Sequence, residues 1–172
     1  MDIDLAARYT AHWEGQRSTV YRDTKGIPTI GVGFNLTTGS APAEIAALGL
    51  DYQAVLSGSV ALTDAQIQQL LQTTLQTAVA AAQALVADFD SIPSAQQIVM
   101  TDLAFNMGQA MLATFVHTLA FVQQQNWEQA AYNLRQSLWY TQVGSGPAQR
   151  GGADCAVLAG TAQPTDFLSA SA

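Results

Sequence analysis

HWEGQRSTVYRDTKGIPTIGVGFN, from His12 to Asn35, is the stretch that breaks the pattern of a chain otherwise rich in alanine and glutamine. Apolar residues recur at helical spacing from Ile3 to Glu14, and Gly15 then supplies a natural helix stop. We therefore predict a first helix of about three turns, with Glu14 in its last turn.

The rest of the stretch is typical of β-structure. β-Forming residues cluster at 18–21, and Asp23 and Gly26 occupy the first and fourth positions of a predicted type I turn. Between Thr29 and Phe34, threonine and glycine alternate with larger apolar residues, which indicates a strand with one apolar face. These signals predict a β-hairpin over 18–34, with space for a third short strand before Ser59.

Three side chains of this region could carry acid–base chemistry. Glu14 lies at the negative end of the helix dipole and beside Trp13, and both features favour the protonated carboxyl group that a general acid needs. Asp23 and Thr29 flank the turn, so hairpin pairing brings a carboxylate and a hydroxyl together where they could hold a water molecule. Such a set suits hydrolysis of a glycosidic bond with inversion. On pattern alone, two acids and a threonine in a polar hairpin are more often solvated turn residues.

The remainder of the chain predicts helices. Thr63 to Gln66 form a capping box that opens a long helix running to about Asp88. Further helices are predicted at 42–48, 94–106, 112–124, 127–136, 137–142 and 154–158, and residues 169–172 are expected to be disordered. The expected fold is α+β and mainly α, in one domain over 1–172. It comprises a small α+β lobe at 14–62, a connecting helix at 63–88, and a helical lobe from 1–13 and 89–172, with a binding cleft between the lobes.

Composition argues against several classes of function. Six basic and thirteen acidic residues give a net charge of −7, which disfavours nucleic acid as a partner. No apolar run is long enough for membrane insertion, and the acidic N-terminus is unlike a secretory signal. One cysteine and two histidines are too few for a zinc site, so we expect no metal and no cofactor, and we expect Cys155 to be a small buried residue.

Two motifs carry a resemblance to a known family. The first, E-G-x7-D-T-x-G-x2-T-I-G-x-G, runs from Glu14 to Gly33, and the second, LAFNMG, runs from Leu103 to Gly108. Further blocks at 127–134 and 137–142, followed by Arg150, extend the likeness toward the C-terminus. In these motifs and in their order, most of the chain resembles the phage T4-type lysozymes.

The resemblance implies a lysozyme-like two-lobe fold and bacterial peptidoglycan as the substrate. Glu14 would protonate the glycosidic oxygen, while Asp23 and Thr29 would handle the attacking water. The bond cleaved would be the β-1,4 bond between N-acetylmuramic acid and N-acetylglucosamine, with no metal or cofactor. Four further positions would contact the sugar chain: Asn35, Phe105, Thr118 and Asn133. Core packing is the alternative for Phe105, and a solvated position is the alternative for Asn133.

The chain also departs from the family's pattern. Phe34 stands where the family commonly has histidine, which predicts an apolar contact in place of an ion pair, and the loop at 143–149 is longer and rich in glycine. Arg150 is expected to form a structural ion pair or, alternatively, a distal contact with substrate. The acidic charge is opposite to that of the family's best-known member, so the mode of delivery to the wall stays open.

Several contexts and activities stay open at this point. The chain could be a phage endolysin, or a secreted antibacterial effector with a dedicated immunity protein as its partner. In either case it would be made in the cytoplasm without a signal peptide and would act in the periplasm or cell wall after release or delivery by another system. A monomer is the default expectation. The alternatives are a non-catalytic glycan-binding module of the same fold, and a lytic transglycosylase or an enzyme acting on chitin or chitosan.

Overall fold

The computed structural model describes residues 1–23 and 26–168. Its helices and its one small antiparallel sheet confirm the predicted α+β, mainly α class. The chain divides into two compact units: a hairpin unit, Glu14–Leu75, and a helical unit that combines Met1–Trp13 with the chain from Gln76 onward. The single-domain organisation and its lobe boundaries stay a prediction, and the expected disordered tail at 169–172 lies outside the described residues.

The first helix and the sheet follow the local signals of the opening stretch. Helix α1 (Ile3–Glu14) ends where predicted, and Gly15 follows it with φ of 71°, a left-handed conformation that glycine adopts at no steric cost. Strands β1 (Arg17–Arg22), β2 (Pro28–Gly31) and β3 (Phe34–Asn35) form an antiparallel sheet in the order β1-β2-β3. The short third strand is therefore β3.

The predicted continuous strand from Thr29 to Phe34 is wrong. Ile30 pairs with Phe34 across β2 and β3, so the chain reverses in the tight turn between them. Gly31 and Gly33 have φ of 64° and 68°, a left-handed region in which a side chain is strained. The alternating glycines are therefore a requirement of the turn, and they do not mark one face of a strand. Phe34 is buried, in agreement with the predicted apolar contact.

The turn between β1 and β2 also follows its sequence signal. The backbone N–H of Gly26 donates to the carbonyl of Asp23 at 2.9 Å, which closes the predicted four-residue turn. Its two central residues, 24 and 25, lie outside the described residues. On the outer edge of β1, the carbonyl of Ser18 accepts from the N–H of Leu62 at 2.8 Å. The strand is thus held on both edges.

The capping box at the start of the long helix is confirmed. The N–H of Gln66 donates to Thr63 Oγ1 at 3.3 Å, and the N–H of Thr63 donates to Gln66 Oε1 at 2.9 Å. Before this helix, α4 (Asp64–Leu85), come α2 (Ala41–Ala47) and α3 (Tyr52–Leu56), and the sequence analysis missed α3. Helix α4 ends three residues before the predicted end, and Asp88 has a left-handed φ of 51°.

The helical unit packs short helices around α5 (Ser94–Met107), whose residues 96–104 are all buried. The other helices are α6 (Gln109–Leu112), α7 (Val116–Gln123), α8 (Trp127–Arg135), α9 (Leu138–Gln142) and α10 (Arg150–Leu158). One-turn 3-10 helices occur at Phe89–Ser91 and Pro164–Phe167. Among the described residues, no helix combines the length and apolarity needed to cross a bilayer.

Two predicted helix boundaries in this unit are wrong. The helix predicted over 112–124 is interrupted between α6 and α7. Helix α10 starts at Arg150, four residues before the predicted start at Asp154. A Cβ on Gly151 would lie 2.8 Å from the carbonyl oxygen of Gly144, so this glycine permits a close helix contact although it resembles a loop signal.

A buried polar cluster, hereafter the Asp102 cluster, lies inside the helical unit. It consists of Tyr9, Thr10, Asp102, Arg150 and Asp154. Nε and Nη2 of Arg150 donate to the two carboxylate oxygens of Asp102 at 2.9 and 3.0 Å, and Thr10 Oγ1 donates to Asp102 Oδ1 at 2.7 Å. The predicted structural ion pair of Arg150 is therefore confirmed. Cys155, next to this cluster in sequence, is fully buried as predicted.

Candidate active site

Glu14 is the last residue of α1 and the first residue of the hairpin unit. Its side chain is half-buried. The indole of Trp13, which was expected to provide apolar surroundings for Glu14, packs against Tyr9 and Phe167 of the helical unit. The left-handed Gly15 that ends α1 leads directly into β1, so helix and hairpin are joined by a two-residue link.

The backbone of Ile27 links Asp23 to Thr29. Its N–H donates to Asp23 Oδ1 at 2.8 Å, and its carbonyl accepts from the backbone N–H of Asp23 at 3.0 Å. The same carbonyl accepts from the hydroxyl of Thr29 at 3.0 Å. These bonds place the carboxylate and the hydroxyl on one rigid frame, which we call the Ile27 bridge.

The Ile27 bridge fixes the direction of the Thr29 hydroxyl group. Thr29 is 4% exposed, and its single hydroxyl proton is directed at the Ile27 carbonyl. A hydroxyl has one proton and two lone pairs, so Oγ1 of Thr29 can only accept a hydrogen bond from a further partner. A water molecule at this point would donate to Thr29.

The phenol of Tyr21, on β1, is affected by the charges of both Glu14 and Asp23. Tyr21 pairs directly opposite Thr29 in the β1–β2 register. The pKa of the Tyr21 phenol is raised, and burial is the largest cause. The charges of Glu14 and Asp23 raise this pKa further, while the Arg17 cation lowers it. The two carboxyl groups are therefore within electrostatic reach of one phenol. Sequence reasoning did not single out Tyr21, although its position opposite Thr29 in a hairpin was a usable signal.

Asn35 lies next to Thr29, as its partner across β2 and β3. Its Oδ1 accepts from the backbone N–H and the hydroxyl of Thr37, both at 2.7 Å. The Oδ1 oxygen of Asn35 therefore stabilises the turn after β3. The Nδ2 amino group carries the hydrogen-bond donors of this side chain.

The other predicted sugar contacts lie in the helical unit. Thr118 is fully buried on α7, and its hydroxyl donates to Asn133 Oδ1 on α8 at 3.0 Å. Asn133 lines a pocket of about 310 Å³, together with Thr114, Phe115, Val116, His117, Gln136 and Ser137. Phe105 is partly buried against the core of the unit, as the packing alternative predicts. Within the described residues, no group of three or more His, Cys, Asp or Glu side chains is arranged to hold a metal ion.

Comparisons with known proteins identify the family of the chain. The family model for phage lysozyme matches residues 11–151, a range that contains every candidate residue described above. Two proteins of Dictyostelium discoideum, probable T4-type lysozymes 2 and 1, are 22% and 23% identical to the chain over 138 and 139 residues. Each alignment covers 76% of this chain and 81% of the relative. Because the family model covers most of its length, the chain belongs to the phage lysozyme family, and this membership supports a lysozyme-type glycoside hydrolase activity on peptidoglycan.

Proposed function

We propose that this protein is an N-acetylmuramidase that cleaves the β-1,4 bond between N-acetylmuramic acid and N-acetylglucosamine in bacterial peptidoglycan. Glu14 is the general acid that protonates the leaving glycosidic oxygen. Asp23 and Thr29 position the attacking water, and Asp23 accepts its proton, so the reaction inverts the anomeric configuration. The reaction needs no metal or cofactor.

The Ile27 bridge is the observation that carries this proposal. It holds one oxygen of Asp23 by an N–H at 2.8 Å and directs the proton of the Thr29 hydroxyl at the Ile27 carbonyl, which leaves the lone pairs of Oγ1 for a water molecule. A water that donates one hydrogen to Thr29 and the other to Asp23 keeps a lone pair for the anomeric carbon. Fixing the nucleophile in this way avoids the entropic cost of ordering it during the reaction.

The electrostatic relation of the two acids to Tyr21 gives further support. The charges of Glu14 and Asp23 both act on the Tyr21 phenol, so the end of α1 and the hairpin each contribute a carboxyl group to the surroundings of one side chain. An inverting hydrolase needs its two carboxyl groups on opposite sides of the sugar ring, with space for a water beside one of them. The expected preference of Glu14 for its protonated form stays a prediction.

Digestion of purified sacculi, followed by mass spectrometry of the products, tests the reaction. The wild-type protein should release muropeptides with reducing ends. Glu14→Gln should lower the rate by about 10²–10⁴-fold while the fold is retained. Glu44→Gln is the matched control, because Glu44 is a carboxyl residue on α2 of the same unit. It should digest at the wild-type rate.

Other product patterns would replace the proposal. Ends with a 1,6-anhydro ring would identify a lytic transglycosylase. Release of sugars from chitin or chitosan, with intact sacculi, would identify a different glycan as substrate. Retention on sacculi by wild type and Glu14→Gln alike, with no product from either, would identify a non-catalytic glycan-binding module.

Asp23 and Thr29 can be tested without disturbing the turn. Asp23→Asn keeps an oxygen for the Ile27 N–H but removes the negative charge, so it should fold normally and lose most activity. Thr29→Ser keeps the hydroxyl, whereas Thr29→Val removes it at nearly constant volume. Serine should therefore preserve more activity than valine. Equal activity of the two Thr29 variants would contradict the proposed role of the hydroxyl.

The proposal extends to substrate contacts at Asn35, Phe105, Thr118 and Asn133. Asn133→Ala should raise KM more than it lowers kcat, because a contact made equally in the ground and transition states changes binding alone. We also propose that the protein works as a monomer, without nucleic acid or membrane insertion. It reaches the wall as a released phage endolysin or as a delivered effector, and an effector would be neutralised by an immunity protein. Capture of such an inhibitor with the purified protein would favour the effector.

A further inference from the structure

The peptide group between Gly26 and Ile27 is hydrogen-bonded on both sides. Its carbonyl oxygen, which belongs to Gly26, accepts from Nη1 of Arg22 at 2.7 Å. Its N–H, which belongs to Ile27, donates to Asp23 Oδ1 at 2.8 Å. A trans peptide group is planar, and its C=O and N–H point in opposite directions. One rigid group therefore joins the guanidinium of Arg22 to the carboxylate of Asp23.

Packing does little to fix the orientation of this peptide group. Gly26 is exposed and has φ of 78°, and a Cβ added to it would meet no heavy atom of the described residues within 4 Å. Glycine also lets the adjoining peptide plane rotate at little steric cost. A rotated plane would turn its carbonyl oxygen toward the Asp23 carboxylate and its N–H away from it. Hydrogen bonds therefore determine which orientation the peptide keeps.

The bond from Arg22 favours the orientation in which the N–H faces Asp23. Hydrogen bonds from a cation are stronger than those between neutral groups, and successive hydrogen bonds through one group polarise one another. A guanidinium on the carbonyl oxygen thus makes the Ile27 N–H a better donor to the carboxylate. Arg22 also pairs directly opposite Pro28 in the β1–β2 register, so its side chain reaches the turn from the end of a paired strand.

We propose that Arg22 is a positioning residue that fixes the Asp23 carboxylate through the Gly26–Ile27 peptide. This inference rests on the proposed function, in which Asp23 accepts a proton from the attacking water. Without the bond from Arg22, the peptide is free to rotate, and the carboxylate loses its N–H partner for part of the time. The water is then held less accurately. A misplacement of about 1 Å can lower a rate about 10²-fold, so a partial loss of position should lower kcat about 10-fold.

The first test separates kcat from KM on soluble glycan strands. Arg22→Gln should lower kcat about 10-fold and change KM by less than about 2-fold, because the bond positions the base and does not bind the sugar. Arg22→Lys should recover most of kcat, since an ammonium can also donate to a single carbonyl. Because Arg22 is exposed, both variants should fold.

Arg17→Gln is the matched control for charge. It removes the same charge from the same strand, but the guanidinium carbon of Arg17 lies 5.1 Å from the centre of the Tyr21 ring, a cation–π contact. It should therefore leave kcat unchanged. Equal kcat values for wild type and Arg22→Gln, or equal losses in the Arg17 and Arg22 variants, would overturn the inference.

A double-mutant cycle tests whether Arg22 acts through Asp23. In Asp23→Asn the carboxylate is already absent, so adding Arg22→Gln should lower the residual kcat by less than about 2-fold. A further loss of about 10-fold in the double variant would mean that Arg22 acts on another group, and the inference would be wrong.

An NMR measurement gives a test that does not depend on activity. Arg22→Gln should shift the resonances of the Gly26 carbonyl carbon and the Ile27 amide proton, and it should speed hydrogen exchange at that amide. These changes would support the inference even if sacculi are not digested, and in that case only the proposed function would fail. Unchanged resonances and exchange would refute the role of Arg22, and digestion of sacculi by the same protein would leave the proposed function standing.

Discussion

Replacing Asp154 by asparagine should change how the stability of the protein depends on pH. Asp154 is fully buried in the Asp102 cluster, and its Oδ1 accepts from the hydroxyl of Tyr9 at 2.7 Å. Among the described residues, its Oδ2 meets no hydrogen-bond donor. Burial, followed by the nearby charge of Asp102, raises the pKa of Asp154 well above its usual value, and Arg150 opposes this effect only in part.

The sign of the effect follows from proton linkage. In the unfolded chain, Asp154 loses its proton near pH 4, whereas the folded protein keeps that proton to higher pH. Between these two pH values the folded state binds more protons, so the free energy of unfolding falls as pH rises, by about 1.4 kcal/mol per pH unit. Above the folded-state pKa, the loss is complete and the contribution becomes constant.

Asparagine imitates the protonated carboxyl group. The Oδ1 oxygen of asparagine can still accept from Tyr9. Its uncharged Nδ2 group replaces Oδ2 of Asp154, which accepts no hydrogen bond among the described residues. Asp154→Asn should therefore match the wild type within about 1 kcal/mol near pH 4 and become progressively more stable than it as pH rises. Urea unfolding followed by circular dichroism from pH 4 to pH 8 measures the difference. Asp4→Asn is the control, because Asp4 is an exposed carboxyl residue of the same unit. Parallel stability curves for wild type and Asp154→Asn would refute this reasoning.

Three further experiments have expected outcomes. Arg150→Met leaves the buried charge of Asp102 without its bidentate partner and should cost about 3–5 kcal/mol in urea unfolding, while the double variant with Asp102→Leu should recover most of this loss. Burial raises the pKa of the Cys155 thiol to about 12, so a thiol reagent at pH 8 should label it only at the rate of unfolding; fast labelling of folded protein would contradict its burial. Gly31→Ala should lower the free energy of unfolding by about 1–2 kcal/mol through left-handed backbone strain alone, because its Cβ would lie at an ordinary 3.6 Å from Ile67. A smaller loss for Gly31→Asn in thermal unfolding would identify the strain as the cause, since asparagine adopts this conformation more readily than alanine.

Local signals in the sequence were sufficient for the elements that local interactions determine. Gly15 ends α1 because a left-handed residue is needed there, and the Thr63–Gln66 capping box starts α4 because each residue bonds the backbone of the other. The turn after Asp23 was also predicted. Each of these elements depends on residue types at fixed neighbouring positions, so it can be identified without tertiary information.

Glycine caused the main errors, because it is used for two physical reasons that look alike in a sequence. Gly31 and Gly33 supply left-handed backbone for a turn, although their alternation resembles a strand. Gly151 provides space for a close approach inside α10, although it resembles a loop residue. The positions of neighbouring elements distinguish a glycine needed for a turn from one needed for a close contact, and those positions depend on the tertiary structure.

The candidate site shows the same division between residue type and backbone. Glu14, Asp23 and Thr29 could be singled out because their side chains have recognisable chemistry. Ile27 could not, because it contributes its N–H and its carbonyl, which every residue but proline also has.

The spacing of the motif is a structural requirement of the Ile27 bridge. Asp23 bonds the residue four positions ahead through both its backbone N–H and its side chain, and Thr29 bonds the same residue two positions back. Both relations hold only for one turn length, since an inserted residue would move Ile27 out of reach of Asp23 while leaving every side chain of the motif present. The interval between Asp23 and Thr29 therefore encodes a distance between an acid and a hydroxyl. This is why the spacing carried more information about function than the residue types did alone.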